Sequence, residues 1–393
     1  MRAITFSVLS TSARTLQALQ ELVAQFEARQ RIHVEIRPLT WASAWDEYAR
    51  MAVDGDVPDV SEVGTTWVSP LAAMSVLRPY SPAELGPIGG PGVFHGGIWR
   101  TCADARNVWA MPWLLDTRLI WYWRDMLTTA GISEAGAFSS HDEISRTFER
   151  LKAAGIAPWV TATQATRVTL QNAASWVWAH GGDVLHAHRP EVDFDQPESL
   201  AGLKAFLSLY AYLTPELRGL NDVDSDAAFS ERRAAVTVAG PWLPDTITAA
   251  TGRLSPELGV APMPGWSWMG GSNLIIWRRS LQELAALDLV RFLTSRAAQS
   301  VFARVGSLMP ARLDVLTDPA LTSDPIYQTM STNAQRGRII PAPRLWGAIE
   351  AQLRDTLTVV GREAMASPDA DLDAILRRHL VPVARRLNTM LTT

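Results

Sequence analysis

Cysteine occurs once in the 393 residues, at Cys102, which excludes an intrachain disulfide and every CxxC metal or redox motif. Lysine is nearly as scarce, with only Lys152 and Lys204 in a basic set that is otherwise arginine. The 36 basic side chains face 40 acidic ones, for a formal net charge of −4, so the chain has no global positive field and a nucleic-acid partner is not expected. No apolar run approaches the roughly 18 residues of a membrane helix. The opening MRAITFSVLSTSARTLQ has no short apolar core before a small-residue cleavage site, and no lipobox cysteine follows, so no secretory signal is expected in this stretch. Seven histidines form no metal set: His186 and His188 share an HAH, and neither HExxH nor a Cys/His cluster exists, so neither metal nor cofactor is expected. GWSWMG misses the GxSxG spacing by one residue, GPGVFH is no GxGxxG, and a Walker loop is missing.

What is present is material for a large core: 47% hydrophobic against 19% charged residues. At about 150 residues per domain, the length suggests two to three domains. Tryptophan is the anomaly, with 16 against 10 Phe and 6 Tyr. A core of Phe and Leu carries no polar cost, whereas each buried indole needs a partner for its N–H. A surplus therefore hints at a lined binding surface, although ordinary packing must account for several.

Along the chain, Ala3 to Leu9 reads as a buried strand, and Leu16, Leu19, Leu22, Val23 and Phe26 make an apolar helical stripe with Ser12 as candidate N-cap. Ile32 to Arg37 alternates with period two; Ala42 to Val53 reads as helix and Asp59 to Val63 as strand. Such alternation implies an α/β fold with a covered parallel sheet, whose ligands sit outside the strand carboxyl ends. Here those ends are Ser10 to Ser12, Pro38 to Trp41 and Gly64 to Trp67. The Pro/Gly-rich Ser81 to Gly97 reads as loop, Asn107 to Pro112 and Thr117 to Trp123 as strands flanking PWLLDTR, and Ala235 to Ala239 as a strand stopped by Gly240-Pro241. Helical patterns dominate from Asp142 to Leu213 and again from Leu345 to Leu391.

Six segments in order, GDVPDV (55–60), TTWVSPLAAMSVLRPY (65–80), VWAMPWLLDTRLIWYWRDMLTTAGI (108–132), FSERRAAVTVAGPW (229–242), PMPG…GGSNLIIW (262–277) and NAQRGRIIPAPRLW (333–346), give the chain a resemblance to the extracellular solute-binding proteins of the sugar-binding class that serve ABC importers, the maltose-binding-protein-like family. That resemblance implies two lobes of type II periplasmic-binding-protein architecture, joined by hinge crossovers near Pro112 to Asp116, Pro264 to Gly270 and Ser307 to Ala311, with a ligand cleft between them. The N-terminal lobe would hold residues 1–112 and 267–308, the C-terminal lobe 113–266 and 311–393. It further implies a monomer that captures a mono- or oligosaccharide, closes on it and delivers it to membrane permease subunits, in the periplasm or outside the cell. A carbohydrate-active enzyme, whose paired carboxylates are invisible in sequence, and a cytoplasmic sugar sensor are the alternatives.

The resemblance places a sugar-stacking ring at Trp242, just past the Gly-Pro break, and a second at Trp346 beside Arg344. Trp41 and Trp67 are the aromatic candidates of the first lobe, with Ser10 and Ser12 at a strand end. Asp116 and Arg118, with Trp113 just before them, supply an acceptor for vicinal hydroxyls and a donor fork, or else an ion pair that steadies the crossover. Gly271 and Ser272 offer close backbone approach or an ordinary turn. Trp176 and Trp178 lie two apart on a helix and point to different faces.

Overall fold

The computed structural model describes residues 2–9, 12–186, 188–305, 309–366 and 370–392. Ten strands occur among them: β1 (Arg2–Leu9), β2 (Ile32–Leu39), β3 (Val60–Gly64), β4 (Ala110–Thr117), β5 (Leu119–Trp123), β6 (Trp159–Val160), β7 (Val236–Ala239), β8 (Leu258–Pro262), β9 (Met269–Ile276) and β10 (Met309–Pro310). They form two sheets, ordered β10-β4-β9-β3-β1-β2 and β6-β7-β5-β8, each with helices around it. The fold is α/β.

In the first sheet β1 pairs in parallel with β2, Arg2 opposite Ile32 through Leu9 opposite Leu39, and with β3, Ser7 opposite Ser61. β9 returns antiparallel to β3 and β10 antiparallel to β4. The alternating strand and helix of the first sixty residues thus make the parallel part of the sheet, as the pattern implies. Ser12 caps the helix Ala13–Gln30, its hydroxyl accepting from the Thr15 N–H at 3.1 Å, and Leu19, Leu22, Val23 and Phe26 form the buried stripe. In the second sheet β5 lies between two antiparallel partners, β7 and β8, and its LIWYW is buried on both faces. Such a strand reads as one apolar run instead of an alternation.

The chain divides into two units. The first comprises Met1–Asp116, Met269–Ser331 and Ala342–Trp346, the second Thr117–Trp268, Thr332–Pro341 and Gly347–Thr393. The PWLLDTR segment, expected between two strands, runs through β4 itself, which carries the chain from one unit to the other. Of the expected crossing at Ser307 to Ala311, Ser307 lies outside the described residues, and the described Met309–Pro310 is an edge strand of the first sheet within the first unit. Residues 311–331 stay with the first unit because Gln299 clamps that return, donating to the Trp113 carbonyl (2.7 Å) and accepting from the Ala311 N–H (2.9 Å). The supposed loop of Ser81 to Gly97 contains the helix Pro82–Ile88, whose Glu84 accepts from the Ser81 N–H at 2.8 Å.

Ten of the sixteen tryptophans are buried, so packing accounts for most of the surplus. Several find indole partners: Trp123 donates to the Phe229 carbonyl (3.1 Å), Trp159 to that of Leu209 (2.9 Å) and Trp277 to Ser61 Oγ (2.7 Å). Both Trp176 and Trp178 are buried. The indole nitrogens of Trp113, Trp176 and Trp346 are buried without a partner.

Candidate functional site

In the second unit, β7 ends at Ala239 and Gly240-Pro241 turns the chain, so that Trp242 heads the helix Leu243–Thr251. The indole folds back over Gly240, and a Cβ built there would fall inside the ring; only glycine permits this pose. The ring stays half-buried. Its Nε1–H donates to Asp226 Oδ2 at 2.6 Å, from the helix Asp222–Ser230. The Arg118 guanidinium lies 5.0 Å from the Trp242 ring and 4.6 Å from that of Trp268, within the range of cation–π attraction, and also donates to Gln171 Oε1.

The main chain beneath this stack is pinned. The Arg118 N–H donates to the Trp268 carbonyl (3.1 Å), while the Arg118 carbonyl accepts from Ser267 Oγ (2.7 Å) and Asn333 Nδ2 (3.0 Å). Desolvation pushes the Asp226 carboxyl up to about 7; the Trp242 indole opposes this, Asp222 adds to it and the Arg118 charge opposes it. Chemically, the arrangement offers a half-buried aromatic ring whose indole N–H is already satisfied.

In the first unit, Trp41 lies just past the end of β2, and Trp67, just past the end of β3, heads the helix Val68–Ala73. Their ring centroids are 5.6 Å apart, and Trp45 and Tyr48 complete the cluster at 5.9 and 6.2 Å from Trp67. Trp67 is 3% exposed, whereas Trp41 keeps a half-buried ring. Below them, Glu62 of β3 is buried; its Oε2 accepts from the Leu9 N–H at 2.7 Å, and Ser272 bonds it from β9. Burial pushes this carboxyl up to about 7 against those two hydrogen bonds.

The remaining sequence candidates fall in several places. Ser10 lies outside the described residues, and Ser12 is a helix cap. Trp113 is core, 1% exposed, with its ring edge-on to Phe6 (5.9 Å) and Phe302 (5.4 Å). Asp116 is half-buried on β4, and Arg344 is exposed. Arg118 is buried, with its guanidinium near the Trp242 and Trp268 rings. At Gly271, φ is 129° and a Cβ would collide with the Leu114 carbonyl, so this glycine serves the close approach of β9 and β4. Ser272 is 2% exposed and bonded to Glu62. Trp346 is 1% exposed at the start of the helix Trp346–Ala366.

Sequence reading missed Asp226, Trp268, Gln171 and Glu62. Trp268 lies within the PMPG…GGSNLIIW segment but carried no role there; the other three sit in no motif, and the only trace of Asp226 is an acid one position after buried Ser225 and three before buried Phe229 on a helix leading to β7.

The comparisons with known proteins bear on the fold and the family. The maltotriose-binding protein of Pyrococcus abyssi (strain GE5 / Orsay) is 24% identical over 226 residues, 53% of this chain, and the match spans about half (47%) of that relative's length. A solute-binding protein of an ABC transporter from Thermotoga lettingae, solved with α-D-tagatose, superposes with a TM-score of 0.87 at 20% identity, covering all of both chains. Maltose-bound MalE3 of T. maritima superposes at 0.86 with 22% identity, over 99% of this chain and 100% of that one. These likenesses establish the fold. The family model of the bacterial extracellular solute-binding protein matches residues 10–300, most of the chain, and to that family this protein belongs.

Proposed function

We propose that the chain is the solute receptor of an ABC importer, capturing a neutral carbohydrate and delivering it to permease subunits without chemical change. The observation that carries this reading is the Trp242 indole, half-buried and already fixed by Gly240, Asp226 and Arg118. A pyranose has a face of C–H groups that such a ring covers, and a ring held in one pose spends little ordering entropy on binding. The names of the relatives support it: one is a maltotriose-binding protein, and the two structures hold tagatose and maltose. On this reading Arg118 backs the ring in the second unit, while Trp41 and Asp116 are the aromatic and hydroxyl-acceptor candidates of the first. The protein acts as a monomer, in the periplasm or outside the cell.

Calorimetry with tagatose, maltose and maltotriose tests it. At least one sugar should bind one to one, be recovered unchanged, and lose about 30-fold in affinity in Trp242→Ala, the roughly 2 kcal/mol typical of a hot-spot aromatic. Binding by none of the three, or release of a cleaved product, overturns the reading.

A further inference from the structure

We propose that Asp226 is the positioning residue of carbohydrate capture: its carboxylate holds the Trp242 indole by the N–H edge, against the Arg118 guanidinium, so that the binding face is set before the sugar arrives. The proposal rests on the reading of Trp242 as a carbohydrate platform. Three contacts fix the ring, and each removes a different freedom. Gly240 lets the ring approach the backbone where a Cβ would stand, Arg118 stands 5.0 Å from the ring centroid, and the 2.6 Å bond to Asp226 stops rotation in the ring plane.

Packing alone does not account for an acid here. The helix Asp222–Ser230 directs Ser225, Ala228, Phe229 and Ser230 inward, and the half-buried carboxylate of Asp226 beside them carries a desolvation cost that a serine or asparagine avoids. A charged acceptor makes a stronger hydrogen bond to an indole than a neutral one, which is what a positioning role requires.

The charge of Asp226 is set by few groups. Asp222 lies one turn back on the same helix and Arg118 faces it from the β4–β5 junction. Of the elements packed on this helix, β6 and β7 carry no charged residue, and the helix Leu243–Thr251 carries only Asp245. Burial brings the titration of Asp226 near neutrality, so acidification replaces the anionic acceptor by a weaker one and loosens the ring. Affinity for sugar therefore rises with pH across this range.

Two measurements test this, one without ligand. In 15N spectra of the free protein, the Trp242 indole signal, assigned by its loss in Trp242→Phe, should shift between pH 6 and pH 8 in the parent and stay fixed in Asp226→Asn. Maltotriose titrations should give several-fold tighter binding at pH 8 than at pH 6 for the parent, no pH dependence for Asp226→Asn, and about tenfold weaker binding for Asp226→Ala, each variant first shown by circular dichroism to be folded. Sugar binding with an indole signal that ignores pH, or a pH dependence that survives in Asp226→Asn, overturns the positioning role alone. Failure of maltotriose, maltose and tagatose to bind the parent overturns the carbohydrate reading and this role with it, whatever the indole signal does.

Discussion

Glu62 shows how a single buried acid ties stability to pH. It is 3% exposed, held by the Leu9 N–H and by Ser272, and burial raises its carboxyl from the ordinary range to about 7. Between pH 4.5 and 7 the folded chain keeps a proton there that the unfolded chain has released, so this contribution is complete below about pH 4.5 and is lost as pH rises through 7. Glu62→Gln keeps the acceptor and cannot ionise. Urea unfolding of variant and parent should diverge by about 3 kcal/mol in favour of the variant between pH 4.5 and 8, the worth of two to three pKa units. Equal slopes would show that Glu62 is charged in the fold throughout. Of such residues the sequence revealed only those beside a chain break. The place of Trp242 just past a strand end was legible because Gly-Pro announces where a strand stops, whereas Asp226 and Glu62 acquire their character from what folds around them, and an acid on a strand or helix looks the same whether solvated or not.

At the scale of elements, the first sixty residues were read most nearly as they fold, because cap, stripe and alternation agree there. The cap can be checked directly: Ser12→Ala removes the acceptor of the Thr15 N–H and should destabilise the first unit by about 1 kcal/mol in urea titrations, with the helix otherwise unchanged. Elsewhere tertiary contacts override local signals. Pro82 suits the first turn of a helix, so the Pro/Gly-rich stretch that looks like loop holds the helix Pro82–Ile88. The helix Arg296–Val305 escaped notice since its buried set, Ala298, Gln299, Phe302 and Ala303, includes only one large apolar residue. β6 and β10 are two residues each, too short for any periodicity.

On the scale of the whole molecule, neither unit is a continuous stretch of chain, and the second depends on its last helix. Leu372–Thr392 packs on Pro197–Ser208, burying Ile375, Leu376, Leu380, Val383, Ala384 and Leu387, while Asn388 Oδ1 accepts from the Val192 N–H at 2.7 Å. Burial of six such side chains is worth about 10 kcal/mol, comparable to the whole stability of an ordinary domain. A chain ending at residue 371 should therefore lose the near-ultraviolet signal of the second unit's tryptophans, and its retention would show that the helix is dispensable. A different consequence follows from Cys102, which is fully buried in the first unit's core, its thiol pushed above the ordinary range by burial. Thiol reagents attack the exposed thiolate, so they leave the native protein untouched. A single cysteine introduced at exposed Ala227, the neighbour of Asp226, would then be the one attachment point for a fluorophore, turning the receptor into an optical sensor for whatever it binds.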